Sequence, residues 1–219
     1  MRRKLKRFQD NAQRDNVIEP GKDNYQQIKG CWQARYFHND HDIVLELGCG
    51  NGEYTVNLAR LFPLKSCIGV DLKGARLWKG STVAIDQELT NVAFLRTPIE
   101  QLDRFFETGE VTEIYIPFPD PRSRQRDANK RLISPLFLNL YRQILKPGGI
   151  VHLKTDDTPL FLYALEVLNQ QSDVYELAYT DDLYQSHWLE AHHGIQTKYE
   201  AKFIREGRTI KYVRFRLGR

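Results

Sequence analysis

The sequence has few cysteines, and their spacing excludes two classes of small protein. Three cysteines occur among its 219 residues, Cys31, Cys49 and Cys67, and none of them forms a Cys-x-x-Cys pair. An odd number of scattered cysteines is not typical of a disulfide framework or of a structural zinc site. We therefore expect reduced thiols and no bound metal.

Long apolar runs are also lacking. No stretch approaches the roughly 20 apolar residues that a transmembrane helix needs. The basic residues between Arg2 and Arg7 are not followed by the apolar segment of a secretory signal. The sequence predicts a cytoplasmic protein that does not enter a membrane.

The net charge of +4 is distributed unevenly along the chain. Residues 1–40 contain nine Lys or Arg against five Asp or Glu, residues 122–131 five against one, and residues 198–219 eight against two. The rest of the chain is net acidic. Basic clusters of this kind favour a polyanionic partner, because Lys and Arg displace counterions from phosphates. Three solvated charged stretches are the alternative.

Hydrophobic patterning predicts an α/β fold. Residues 1–40 have little periodicity, which predicts a basic, partly flexible N-terminal arm, and residues 41–219 are predicted to form one domain. There, short apolar runs alternate with helical spacing, a pattern typical of βαβ units and of a mostly parallel sheet with helices on both faces. The predicted strands are residues 43–47, 67–71, 92–95, 111–116, 150–154, 174–179 and 209–217.

The first predicted strand ends in a glycine turn formed by Gly48, Gly50 and Gly52. The third glycine of a dinucleotide-binding fingerprint is missing, and Glu46 would lie poorly beside a pyrophosphate. An acid here suits a ligand with an ammonium group, and Asp71, at the end of the next strand, suits the hydroxyls of a ribose. An ammonium, a ribose and bare backbone for close approach together indicate S-adenosylmethionine. A purely structural turn is the alternative.

A rigid loop follows the fourth predicted strand, at Pro119-Asp120-Pro121. Two prolines fix the backbone around Asp120 and would aim its carboxylate into the crevice beyond the strands. Methyltransferases that act on exocyclic base amines carry a different four-residue motif here. In this sequence Asp120 is followed by Pro121 and Arg122, which weakens that interpretation. A ring nitrogen such as guanine N7 needs no deprotonation, so positioning and electrostatics would suffice for catalysis. A turn-capping aspartate is the alternative.

Motifs along nearly the whole chain resemble those of the bacterial tRNA (guanine-N7-)-methyltransferases. The resemblance implies a class I sheet of seven strands, mostly parallel, with an antiparallel C-terminal strand. The residues that carry it are Lys29-Gly30-x-Trp32, Glu46-x-Gly48-x-Gly50-x-Gly52, Ile68-Gly69-Val70-Asp71, Asn91-Val92, Phe118-Pro119-Asp120-Pro121, Lys130-Arg131-Leu132, His152-Leu153-Lys154-Thr155-Asp156, Thr197-Lys198-Tyr199-Glu200-Ala201-Lys202-Phe203, Gly207 and Ile210.

This resemblance implies methyl transfer from S-adenosylmethionine to N7 of a guanine in tRNA, at position 46 of the variable loop. It assigns cofactor binding to Glu46, the three glycines and Asp71, and it makes Asp120 the acidic catalytic residue. A carboxylate at Asp156 or Glu200 suits guanine, because it accepts from N1–H and the 2-amino group together. The substrate-binding residues it implies, with the neighbouring cations, are Asp120, Arg124, Lys130, Arg131, Asp156, Thr197, Lys198, Tyr199 and Glu200.

Three departures from the family pattern leave alternatives open. Arg122 stands where the family has tryptophan. The basic stretch that follows, residues 123–129, retains cations but differs in composition from that of the family. Pro98 stands where the family has an acid for the adenine amine, so Glu100 or a backbone carbonyl would have to substitute. A class I methyltransferase with another RNA or small-molecule acceptor, and a tRNA-binding protein without turnover, are the alternatives. The sequence leaves open whether the protein is a monomer or a homodimer.

Overall fold

A computed structural model describes residues 2–218. One eight-stranded sheet forms its centre, with strand order β1-β4-β3-β2-β5-β6-β8-β7. The strands are β1 (Val17–Ile18), β2 (Asp42–Leu47), β3 (Lys65–Val70), β4 (Val92–Leu95), β5 (Val111–Pro117), β6 (Leu145–Thr155), β7 (Val174–Thr180) and β8 (Lys211–Leu217).

Seven α-helices occur among the described residues. They are α1 (Arg2–Gln13), α2 (Asp23–Gln27), α3 (Glu53–Leu61), α4 (Gly74–Asp86), α5 (Pro135–Ile144), α6 (Thr158–Asn169) and α7 (Lys198–Arg205). Short 3-10 segments connect several elements, at Ile99–Arg104, Gln125–Lys130, Leu183–Gln185 and His187–His192, and one π-helical turn covers Trp32–Phe37. No helix in the range 2–218 is both long and apolar enough to span a bilayer.

The sheet is covered on both faces, as its apolar strands predicted. In β2, Ile43 and Leu45 pack into the larger apolar cluster, with side chains of α5 and α6. Val44, which points the other way, packs with side chains of α3 and α4. Successive residues of a strand face opposite sides, so one strand supplies both layers of the core. The predicted α/β class and mostly parallel sheet are confirmed.

The sheet departs from an all-parallel arrangement at one end and gains an unpredicted strand at the other. β8 runs antiparallel between β6 and β7, which confirms the predicted antiparallel C-terminal strand. The eighth strand, which the sequence did not predict, is β1, and it pairs in parallel with β4. A two-residue strand is too short to produce a readable alternation in the sequence.

Much of the segment 1–40, predicted as an arm, packs against the rest of the domain. Trp32 is fully buried, and its indole N–H donates to the carbonyl of Phe105 at 2.8 Å. α1 lies on α4, where Asn11 donates to the carbonyl of Gly74 at 2.8 Å and Arg14 lies over the ring of Trp78. The contacts of α1 are mostly polar, which is why hydrophobic periodicity gave no sign of it.

α7 was not predicted either, although its signal is present in the sequence. Thr197 caps the helix, and its hydroxyl accepts a hydrogen bond from the backbone N–H of Glu200. A threonine followed three residues later by glutamate is the pattern of a helix capping box. The same four residues belong to the binding motif that the family resemblance implies, so the helix signal lies inside that motif.

Candidate active site

The carboxyl ends of β2 to β6 open into one cleft of about 770 Å³. Parallel strands place these ends at the same edge of the sheet, where ligands of open α/β folds bind. The predicted site residues that line the cleft are Glu46, Gly48, Gly50, Asp71, Glu100, Asp120, Lys130, Asp156, Thr197 and Tyr199.

The glycine turn after β2 combines open backbone with tight packing. Gly48 and Gly50 have φ values of +72° and +55°, and a Cβ atom on either would project into nearly empty space. Both therefore present bare backbone to a ligand. Gly52 differs from the prediction because it does not line the cleft: a Cβ there would lie 2.5 Å from the ring of Phe94. Its lack of a side chain allows the turn to pack on β4.

Glu46 lines the cleft from the end of β2, although only 3% of its surface is exposed. Its carboxylate accepts hydrogen bonds from the backbone N–H of Thr55, at 2.7 Å, and from the Thr55 hydroxyl. Burial raises the pKa of Glu46 to about 8, and the hydrogen bonds from Thr55 oppose that rise. A buried carboxylate of this kind gains most from a cationic ligand, because an ammonium restores the favourable environment that burial removed.

Asp71 follows β3 and faces the same cleft. One carboxylate oxygen accepts from the backbone N–H of Gly50 at 2.9 Å, and the other accepts from the N–H of Lys73 at 2.7 Å. These bonds fix the carboxylate between the glycine turn and the start of α4. Each carboxylate oxygen has more than one lone-pair site, so the fixed group can still accept from vicinal hydroxyls.

At the end of β4, Thr97 lines the cleft with 1% of its surface exposed. Its hydroxyl is buried and has no hydrogen-bond partner among the described residues. Pro98 and Glu100 also line the cleft. An orphaned buried hydroxyl costs free energy unless a ligand satisfies it. With Glu46, Asp71 and the open glycine backbone, it completes a donor and acceptor set that fits S-adenosylmethionine.

The loop after β5 presents Asp120 at the lip of the cleft. Phe118 and Arg122, on either side of the two prolines, both have the left-handed φ values that side chains disfavour, +52° and +48°. The N–H of Phe118 donates to the carbonyl of Lys154 at 2.8 Å, which holds the loop against β6. Asp120 remains largely exposed and pairs with Arg122, Nε to Oδ2 at 3.3 Å. The residue that replaces the family tryptophan thus contacts the predicted catalytic acid.

The basic residues after this loop divide into two groups. Lys130 lines the cleft, and Arg124 is exposed nearby without lining it. Arg131 does not fit the prediction of an RNA contact, because it is buried. Its guanidinium lies 4.2 Å from the ring centre of Tyr163 and donates to the carbonyl of Arg122. Arg131 stabilises the loop. Lys130 pairs with Asp127, Nζ to Oδ1 at 2.8 Å, and its side chain is still 62% exposed, so it and the exposed Arg124 can both meet a polyanion.

The C-terminal motif reaches the cleft only in part. Thr197 and Tyr199 line it, and Tyr199 has an exposed ring. Lys198 instead lies against α3: its backbone N–H donates to Glu53 at 2.9 Å. Glu200, predicted to bind guanine, is fully buried and does not line the cleft. The first turn of a helix points its successive side chains in different directions, so four adjacent residues cannot all face one ligand.

Asp156 lines the cleft, but its carboxylate is already paired. Arg208 donates to its Oδ2 at 2.7 Å and also lines the cleft. Sequence reasoning missed Arg208, Thr97 and the buried Lys154. Arg208 belongs to the basic C-terminal segment and Lys154 to the family motif at residues 152–156, but no pattern in one sequence identifies which side chains meet. Within the described range, no group of three His, Cys, Asp or Glu side chains is placed to hold a metal ion.

Comparison with known proteins agrees with this geometry. Residues 40–213 match a family described as "Putative methyltransferase". A tRNA (guanine-N(7)-)-methyltransferase of Cytophaga hutchinsonii is 48% identical over 215 residues, covering 98% of this chain and 97% of the relative. An enzyme of the same name from Porphyromonas gingivalis is 51% identical over 87% of this chain and 78% of the relative.

Solved structures show the same fold at low sequence identity. The 16S rRNA methyltransferase KamB superposes with a TM-score of 0.62 at 15% identity, over 90% of this chain and 94% of that chain. A 16S rRNA (adenine(1408)-N(1))-methyltransferase from Catenulisporales acidiphilia gives 0.61 at 15% identity, over 85% and 92%.

The fold and the cleft therefore define an S-adenosylmethionine-dependent methyltransferase with a class I sheet. Within that class, similarity over almost the full length of both chains decides the family. The chain belongs to the tRNA (guanine-N(7)-)-methyltransferase family.

Proposed function

We propose that this protein methylates N7 of a guanine in tRNA, with S-adenosylmethionine as the methyl donor. The observation that carries the proposal is that one cleft contains Glu46 and Asp71 at its cofactor end and Asp120 at its lip. Relatives that are 44–51% identical to the chain carry the name of this activity. The modified nucleotide we propose is position 46 of the variable loop, following the same family likeness.

The cofactor end of the cleft orients the methyl donor. S-adenosylmethionine supplies an electrophilic methyl group on a sulfonium. The ionised carboxylate of Glu46 would hold its ammonium, the carboxylate of Asp71 would accept from its ribose hydroxyls, and the hydroxyl of Thr97 would accept from the adenine amine. Three separate anchors fix the donor in one orientation, and fixed orientation is worth several kcal/mol in a displacement reaction.

Asp120 is the catalytic residue in this proposal. Guanine N7 attacks through an in-plane lone pair, so no proton has to be removed first. The bound donor would supply the methyl group: N7 would bond to the methyl carbon as the bond from that carbon to sulfur breaks, and the positive charge would pass from sulfur to the purine ring. A carboxylate beside the ring stabilises this developing charge, which is the electrostatic form of catalysis.

The opposite wall of the cleft receives the base and its strand. We assign base stacking to the rings of Phe118 and Tyr199, both of which line the cleft. Lys130 and Arg124 contact phosphates, where cations position RNA without reading its sequence. The protein acts in the cytoplasm, where tRNA is modified, as a monomer or a homodimer.

The experiment that tests this function compares tRNA from cells with and without the protein. We expect N7-methylguanosine to disappear from tRNA when the gene is deleted and to return when the wild-type chain is supplied. Asp120→Asn should fail to restore it. Asp181→Asn, which removes an exposed carboxylate outside the cleft lining, should restore it. An unchanged content of N7-methylguanosine in the deletion strain would refute the proposal.

A further inference from the structure

A buried ion pair lies directly behind the wall of the cleft that receives the substrate. Lys154, near the end of β6, has 3% of its side chain exposed, and Glu200, in the first turn of α7, has none. The ammonium contacts both carboxylate oxygens, Oε1 at 2.7 Å and Oε2 at 2.8 Å. Tyr184 donates its hydroxyl to Oε1 at 3.0 Å. The chain itself therefore occupies both oxygens of Glu200.

The ion pair touches the cleft wall from behind. The ammonium of Lys154 lies under the rings of Tyr54, at 5.4 Å, and Phe118, at 5.8 Å, and both residues line the cleft. Glu200, the other member of the ion pair, is three residues after Thr197 and one after Tyr199. Thr197 and Tyr199 also line the cleft. The ion pair between β6 and α7 is therefore in contact with, or adjacent in sequence to, four residues of the cleft wall.

Stability alone does not account for a buried pair at this position. Removing two charges from water is costly, and apolar side chains of similar size are often as stable or more stable in such places. A buried charged pair instead specifies one contact, because each charge requires the other to compensate it. The first turn of α7 can dock on β6 in one register only, because a shift by one residue would turn Glu200 about 100° away from Lys154.

We propose that Lys154 is a positioning residue for the substrate wall and that Glu200 acts through it. In this inference, which rests on the proposed function, Glu200 holds Thr197 and Tyr199 in place and does not contact the guanine. It corrects the role that family likeness gave to Glu200.

A double-mutant cycle tests the proposal. Lys154→Met and Glu200→Met should each lower kcat/KM for tRNA at least tenfold, because each leaves a buried charge without its partner. The dissociation constant of S-adenosylmethionine should stay within twofold, since neither residue lines the cofactor end. The double variant should recover to within about threefold of wild type. Losses that multiply in the double variant would overturn the proposal.

Base discrimination separates positioning from direct contact. Inosine at the target position lacks the 2-amino group that a carboxylate would recognise. We expect Glu200→Gln to leave the guanine-to-inosine ratio of kcat/KM as it is in wild type. A ratio that falls toward one in the variant would place Glu200 on the base and overturn the proposal. Glu176→Gln, which removes one partner of an ion pair with Arg216 outside the cleft lining, is the matched control.

Amide hydrogen exchange keeps the test independent of activity. Either single methionine variant should exchange the amides of Lys198–Arg205 at least tenfold faster than wild type, and the double variant should restore protection. Unchanged exchange in both single variants would refute positioning by the ion pair. If the wild-type protein binds S-adenosylmethionine but does not methylate tRNA, the proposed function fails, and the exchange result still decides the role of Lys154.

Discussion

The burial of Glu46 makes a quantitative prediction about stability and pH. Its pKa is about 8 in the folded chain against an ordinary value of 4.5. A carboxyl whose pKa is higher in the folded state holds a proton that the unfolded chain has released, so its contribution to stability falls as pH rises between these two values. Each pKa unit corresponds to about 1.4 kcal/mol.

Glu46→Gln isolates this contribution. Glutamine keeps the size of the side chain and an oxygen that can accept from Thr55, but it cannot ionise. Between pH 5 and pH 8, the free energy of unfolding of wild type should fall relative to the variant by about 1.4 kcal/mol per pH unit, or about 4 kcal/mol in total. Above pH 8 the difference should become constant. Urea denaturation of both proteins without cofactor, at four pH values, measures it.

The same change should weaken the site that the carboxylate serves. Only ionised Glu46 can pair with an ammonium, so wild type should bind S-adenosylmethionine more tightly as pH rises from 6 to 8. The variant should bind more weakly and lose this component of the pH dependence in calorimetric titrations. A stability difference that does not change between pH 5 and pH 8 would show that the carboxyl ionises normally, and it would refute the reasoning.

Three further predictions concern the rest of the cleft. Asp120→Asn should lower kcat about 100-fold with little change in cofactor affinity, because it removes charge stabilisation only in the transition state; an effect confined to KM in steady-state kinetics would contradict this. Thr97→Val should weaken S-adenosylmethionine binding about tenfold by removing one hydrogen bond, and Glu100→Gln should not; the reverse order in titrations would assign the adenine amine to Glu100. Arg124→Ala with Lys130→Ala should weaken tRNA binding and reduce the slope of log K against log salt by about 2, with an unchanged slope as the opposing result.

The residues at the strand ends were predictable because a parallel sheet makes their meeting a matter of topology. Once β2, β3 and β5 were assigned, Glu46, Asp71 and Asp120 had to lie at the same edge. The glycines were predictable in position but not in role. Gly52 differs from Gly48 and Gly50 in having Phe94 of β4 and Gly80 of α4 behind it, and both contacts come from elements distant in the sequence.

The contacts between distant segments could not be predicted. Sequence patterns locate helices and strands, but they do not say which side of a short helix faces a ligand. Glu200 was assigned to the base because of its charge and its motif, and its burial against Lys154 depends on how α7 docks on β6. Arg131 was assigned to RNA for the same reason, and its packing on Tyr163 depends on the position of α6.

The central claim is tested most directly with the purified protein and an unmodified tRNA transcript. Incubation with S-adenosylmethionine, followed by nucleoside mass spectrometry and mapping of the modified position, should give N7-methylguanosine at position 46 for wild type and a strongly reduced yield for Asp120→Asn. Parallel reactions with ribosomal RNA and with small-metabolite extract should give no product. Methyl transfer to one of these, with none to tRNA, would contradict the account.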